Sequence, residues 1–224
     1  MHPTLNIQAL LLDLDGLLID SEPIYRFAWQ SAAAGLGYEI SDDLYLSLVG
    51  LSDRDSEEVL IRTFGPKFPL AQFRGLWPVR WRRQVDVSGI PVKPGLWDFL
   101  KVIEKHRLPA AVATSSDAEQ VRRSLHAAGL NGRFSCIVTA DQVPKGKPAP
   151  DIFLEAAGRL GFPPRHCIVL EDSEAGILAA AAAGIPALMI PDLKQPSANT
   201  AALAYQVLPS LKEAAEFVEG IFDE

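Results

Sequence analysis

The stretch IQALLLDLDGLLIDSE, residues 7–22, decides how the chain is read. Its first half, IQALLL (7–12), is a short continuous apolar run, the pattern of a strand covered on both faces of a parallel sheet. Its second half places Asp13 and Asp15 two residues apart at the end of that run. While the backbone stays extended, residues two apart project to one side, so both carboxylates can face one centre. Gly16 then permits a sharp turn, and Asp20 with Ser21 is suited to cap a following helix. A single strand-terminal Asp commonly serves as a cap or turn residue; two on one side make a reacting centre an equal alternative.

Outward from this stretch, residues 21–87 show only helical patterns: PIYRFAWQSAAAG, SDDLYLSLVG, RDSEEVLIRTFG and PLAQFRGLWPVRWRRQ. After PVKPG (91–95) strands and helices alternate. The strands are AAVAT (110–114), FSCIVT (134–139), CIVL (167–170) and ALMI (187–190), with helices between them and a last helix near 210–219. Strand–helix units with short loops imply right-handed crossovers and an α/β fold, a parallel Rossmann-like sheet sandwiched by helices. The first strand would join that sheet across an inserted all-α unit. The expected organisation is therefore a core of residues 1–20 and 90–224 and a helical cap of residues 21–89 standing over the sheet, with Pro91, Pro94 and Gly95 at a hinge.

The 224 residues, 48% of them hydrophobic, can bury a sizeable core. Twenty-one basic against 28 acidic residues give a net charge of −7, which disfavours nonspecific attraction to nucleic acid or an anionic membrane. The expected partners are a small-molecule phosphate ester, no nucleic acid and no membrane, with the chain a monomer. MHPTLNIQ lacks the charged and apolar segments of a secretory signal, and the apolar run 177–190 is too short to span a bilayer, so a cytoplasmic location is expected. Cys136 and Cys167 sit in strand-like apolar runs, where a small buried thiol is the simplest reading and suits a reducing compartment.

In open parallel sheets, ligands bind beyond the carboxyl ends of the strands. Three strand ends and one loop carry polar groups. The first has Asp13 and Asp15. AVATSSD has Thr114 and Ser115, with Asp117 able to cap the next helix; the hydroxyls could equally be caps. IVLEDSEAG has Glu171 and Asp172, with Ser173 near a helix start and Gly176 allowing close helix packing. Between them VPKGKPAPDIF offers Lys145 and Lys147, which are either solvated loop lysines or counter-charges. Were the four acids to converge, each pair about 4 Å apart would cost about 4 kcal/mol at an effective dielectric near 20, so the cluster calls for cations. Oxygen-only donors favour a hard divalent ion, Mg²⁺ first. The histidines (2, 106, 126 and 166) form no cluster suited to zinc.

DLDGLLIDSE, VATSS, GKPAPDIF and VLEDSEAGI, in that order, resemble the four motifs of the haloacid dehalogenase superfamily. The branch is that of phosphotransferases with a small helical cap, which holds β-phosphoglucomutase and phosphoglycolate phosphatase. The resemblance covers nearly the whole chain. It implies that Asp13 attacks the phosphoryl group to form a transient aspartyl-phosphate, and that Asp15 protonates the leaving oxygen and later activates water. Thr114 would hydrogen-bond the phosphoryl group, and Lys147 rather than Lys145 would neutralise charge beside Asp13. Mg²⁺ would be held by Asp13, the Asp15 carbonyl and Asp172, with Glu171 in or near the shell. Ser115, Gly16, Tyr25 and Arg82 are the expected substrate contacts. Asp15 argues against dehalogenation, whose enzymes lack that second Asp and the metal.

The chain departs from the mutase pattern where Tyr25 stands for a cap histidine, and where GLSDRDS puts Asp53, with Arg54 one step later, in place of an anion-gripping arginine. A mutase must retain a bisphosphate, so these changes favour hydrolysis. The cap segment FRGLWPVRWRRQ crowds Arg74, Arg80, Arg82 and Arg83 around Trp77 and Trp81; its simplest reading is an amphipathic helix, and Arg82 or a neighbour as an anion anchor is the sharper one. The resulting expectation is a Mg²⁺-dependent phosphoric monoester hydrolase of a small sugar or organic-acid phosphate, with a phosphosugar mutase as alternative and an idle binding protein of the same fold as a third reading.

Overall fold

The computed structural model describes residues 6–51 and 53–222, except for the side chains of residues 53 and 54. His2, Asp53 and Arg54, named above, thus lie outside the described residues or side chains. The chain separates into two compact units, one running up to Asp20 and resuming at Pro91, the other Ser21–Ile90.

In the first unit, β1 (Ala9–Leu12), β2 (Ala110–Ala113), β3 (Cys136–Val138), β4 (Cys167–Glu171), β5 (Ala187–Met189) and β6 (Gln206–Val207) form one sheet in the order β3-β2-β1-β4-β5-β6. Every pairing is parallel. Leu11 lies opposite both Ala111 and Val169, so β1 is central. From β1 the chain builds outward through β2 and β3, then returns to β1's other side for β4. This reversal between β1 and β4 opens the crevice in which such sheets take ligands.

Continuous apolar runs make these strands because both faces are covered. Leu10, Leu11 and Leu12 are fully buried, each side chain stabilising by roughly 1.5–3 kcal/mol. Ala9, Leu11, Ala111, Ala113 and Val169 pack in one cluster with Ile152, Phe153, Ala156 and Ile177, which come from α7 (Asp151–Leu160) and α8 (Glu174–Ala183). Also in this unit are α5 (Leu96–His106), α6 (Ala118–Ala127), α9 (Ala198–Leu203) and α10 (Leu211–Phe222), with α5 packed on α10.

The second unit is helical: α1 (Glu22–Ala34), α2 (Asp42–Leu48), α3 (Asp53–Phe64) and α4 (Leu70–Ser88). Its core gathers Ala32, Ala33, Tyr45, Leu48, Leu60 and Phe73, with Trp29 and Trp77 against them. In α4, Phe73 and Trp81 are buried while Arg74 and Arg83 are exposed, the amphipathic arrangement the segment suggested. Asp20 and Ser21 do not act as the capping pair. Ser21 has helical backbone angles (φ −87°, ψ −20°) and makes no side-chain cap, because a capping hydroxyl reaches back only from an extended residue. Asp20 instead faces Lys93 at 3.8 Å. Among the described residues no helix is long and apolar enough to cross a membrane.

Candidate active site

Asp13 follows β1 directly, its amide donating to the carbonyl of Leu170 (3.1 Å), so the ends of β1 and β4 are level. The chain then closes a compact turn. The amides of Leu18 and Ile19 donate to the Leu14 carbonyl, and that of Gly16 to Ile19. Gly16 has φ +84°, and a Cβ there would lie 2.3 Å from Asp172 Oδ2 and 3.3 Å from Asp192 Oδ2. Both the left-handed backbone and the space demand glycine.

Lys147 reaches in from the loop before α7. Its side chain is 4% exposed, and its ammonium pairs with Asp13 Oδ1 and Glu171 Oε1 while lying 5.0 Å from the centre of the Phe153 ring. Burial lowers the Lys147 pKa, but the charges of Asp13 and Glu171 outweigh it and the net shift is upward. The lysine is a fixed cation. Lys145, two residues earlier, is exposed.

Glu171 ends β4 fully buried. Its Oε1 accepts from Lys147, and its Oε2 from the Ser173 amide (2.9 Å) and hydroxyl (2.8 Å). With both oxygens engaged, it is placed as the support of Lys147. Gly176, in α8, has a role beyond helix packing, since a Cβ there would lie 1.9 Å from the Glu171 carboxylate. Ser173 also caps α8, accepting from the Gly176 amide (3.1 Å).

Thr114 is buried just beyond β2, its hydroxyl oxygen accepting from the Ser116 amide (3.1 Å). The hydroxyl that reaches the acid pair belongs to Ser116, which donates to Asp15 Oδ2 at 2.8 Å, while Ser115 is exposed. Asp117 caps α6 with a reciprocal capping box to Gln120. In the helical unit, Tyr25 lies 6.2 Å from Trp77 and 5.6 Å from Trp81, ring centre to ring centre. Arg82 is half-buried on α4, and Arg74 forms a two-pronged pair with Glu57.

Burial, above all, pushes the Asp13 carboxyl up to about 8 against the pull of Lys147. Asp172 is raised as well, first by burial and then by Glu171, Asp13 and Asp192. Two buried acids that resist ionising beside one another form a place where a cation is favoured. Among the described residues no three His, Cys, Asp or Glu side chains close into a cage of their own. The donors nonetheless suit a hard divalent ion. They are oxygens, Gly16 leaves space against two of them, and Asp192 Oδ2 is buried with no hydrogen-bond partner among the described residues. The sequence reading passed over Asp192, three residues beyond β5, although the strand-end rule applied to ALMIPD would have found it.

The two cysteines are free thiols, Cys167 buried and pushed up to about 11 by that burial.

The sequence profile of the haloacid dehalogenase-like hydrolases matches residues 7–184. A phosphorylated carbohydrates phosphatase of Thermotoga maritima is 31% identical over 179 residues, 80% of this chain and 82% of that one. Fructose-1-phosphate phosphatase YqaB of Escherichia coli is 34% identical over 181 residues, 80% of this chain and 94% of its own. A crystal structure of a putative β-phosphoglucomutase from Thermotoga maritima superimposes with a TM-score of 0.78 at 27% identity, covering 97% of this chain and 99% of the other. With a buried acid level with the central strand ends, a fixed lysine beside it and a family profile spanning most of the length, the chain belongs to the haloacid dehalogenase-like hydrolases.

Proposed function

We propose that this hydrolase is a phosphatase of small phosphorylated metabolites, sugar phosphates foremost, acting through a covalent aspartyl-phosphate on Asp13. The observation that carries the reading is the buried Asp13 carboxylate held by the Lys147 ammonium, with Asp15 two residues on and oriented by the Ser116 hydroxyl. The two phosphatases that resemble the chain over four-fifths of its length support the substrate class.

In the first step an Asp13 oxygen bonds to phosphorus, the ester P–O bond breaks, and the departing oxygen takes a proton from the Asp15 carboxyl. In the second, Asp15 accepts a proton from water as the water oxygen bonds to phosphorus; the acyl-phosphate P–O bond breaks and Asp13 is regenerated as a carboxylate. Lys147 balances charge on Asp13 and the incoming phosphoryl oxygens, and Thr114 would donate its hydroxyl proton to them. Asp13, Asp172 and the Asp15 carbonyl would hold Mg²⁺, which supplies a Lewis acid for the phosphoryl oxygens. Glu171 is engaged elsewhere and keeps Lys147 in place. Splitting the reaction through a covalent intermediate is suited to an ester whose uncatalysed hydrolysis needs acceleration of up to about 10²¹-fold. Tyr25 and Arg82 are the cap residues assigned to substrate contact.

The test is phosphate release from a panel of sugar and organic-acid phosphates, with and without Mg²⁺, for the parent and for Asp13→Asn. Release by the parent alone, and only with Mg²⁺, is expected. Equal release by Asp13→Asn would remove the nucleophile assignment, and isomerisation with little net release would identify a mutase. Arg82→Ala is expected to raise KM for the best substrate; an unchanged KM across the panel removes Arg82 from the site.

A further inference from the structure

Asp192 is the acid that the proposed chemistry does not use. Its Oδ1 accepts from Lys93 at 2.6 Å, and the side chain is 11% exposed. Its Oδ2 is buried and has no hydrogen-bond partner among the described residues. That oxygen and Asp172 Oδ2 lie 3.3 and 2.3 Å from one point beside Gly16. A buried carboxylate oxygen without a donor costs free energy unless something else supplies one. Mg²⁺ keeps several of its waters when it binds protein, and those waters are strong donors.

We propose that Asp192 is a positioning residue of the cation site, its Oδ2 accepting a hydrogen bond from a water of the Mg²⁺ shell while Lys93 fixes the carboxylate through Oδ1. This rests on the cation site proposed above. The Lys93 clamp is itself anchored. Its amide donates to the Leu18 carbonyl at 2.9 Å, and its ammonium also faces Asp20. Outer-shell partners of this kind orient the ligands they touch, and their loss commonly weakens metal binding 10–100-fold.

The test is calorimetric titration of Mg²⁺ into the full chain and its Asp192→Asn, Asp192→Ala and Lys93→Met variants, with circular dichroism to verify folding. The Asp192 variants are expected to bind Mg²⁺ about 10–100-fold more weakly than the parent. Lys93→Met, which frees the carboxylate without removing it, loses part of the same affinity. A purely structural clamp would lower the melting temperature and leave Mg²⁺ affinity alone. Should Asp192→Ala fail to fold, the isosteric Asp192→Asn decides. Folded Asp192 variants that bind Mg²⁺ within about twofold of the parent overturn the inference and leave the cation site standing. A parent that binds no Mg²⁺ overturns both.

Discussion

A methyl group at position 176 would meet the Glu171 carboxylate at 1.9 Å, a distance no side chain tolerates. Glu171 cannot retreat while it holds Lys147, the Ser173 amide and the Ser173 hydroxyl. Gly176→Ala therefore displaces either the carboxylate or α8. A shift of about 1 Å beside reacting groups can cost about 100-fold in rate, and overpacking costs about 1–3 kcal/mol. Both a fall in kcat of about that size and a lower melting temperature are expected; unchanged values of both would refute the steric account. At this scale much of the site was legible. Asp13, Asp15, Glu171 and Asp172 announce themselves as acids at strand ends, and Lys147 as the charge such acids require. Ser116 was not legible. In TSSD any of the hydroxyls could face Asp15, and the choice depends on how the backbone turns after β2. Asp192 was within reach of the same strand-end rule, but an Asp after Pro reads first as a turn residue.

Elements were read best where local chemistry and packing agree. The Asp117–Gln120 capping box starts α6 where the sequence placed it, and the cap accounts for a stabilisation of about 1 kcal/mol. Asp117→Ala is expected to lower stability in denaturant titration by about that amount while leaving Mg²⁺ affinity unchanged; a loss of Mg²⁺ affinity would show that α6 positions the site. β6 and α9 were not foreseen. β6 has two residues, both exposed, paired only at the sheet's edge through Leu188 and Met189, and such a strand has no apolar run to reveal it. α9 is six residues long and starts at a Ser197 cap (3.3 Å to the Thr200 amide), a signal easily taken for a loop. The helical patterns of residues 21–87 interrupt a strand-helix alternation that a sheet must complete, which is why the sequence leads one to expect a core with an inserted helical unit.

For the molecule as a whole, the crowded acids tie stability to pH. Without a cation, the folded-state Asp13 value of about 8 lies above its ordinary 3.8. A carboxyl raised in this way contributes stability that is full below its ordinary value and is lost as pH rises toward about 8. One proton corresponds to about 1.4 kcal/mol per pH unit, or about 3–5 °C for a chain of this size. In chelator, the melting temperature is expected to fall between pH 6 and 8, and Asp13→Asn to flatten the fall. Mg²⁺ should raise the melting temperature more at pH 8 than at pH 6, because ligand binding stabilises according to its occupancy of the folded state. A metal-free melting temperature that rises across this window would contradict the assignment of Asp13 as a buried, reluctant anion.

The pairing of the departing and returning segments carries a consequence for protein engineering. Ile19 bridges Val92 antiparallel, and the Asp20 amide donates to the Pro91 carbonyl at 2.8 Å. The seventy residues Ser21–Ile90 thus begin and end at one point of the other unit's backbone, as a graft does on a stem. A tight Asn-Gly turn could join Asp20 to Pro91 without moving either. The excised core is expected to keep cooperative thermal unfolding, and the stem should accept helical units from related hydrolases. A core that melts without cooperativity after excision would show that the stem alone does not define a module.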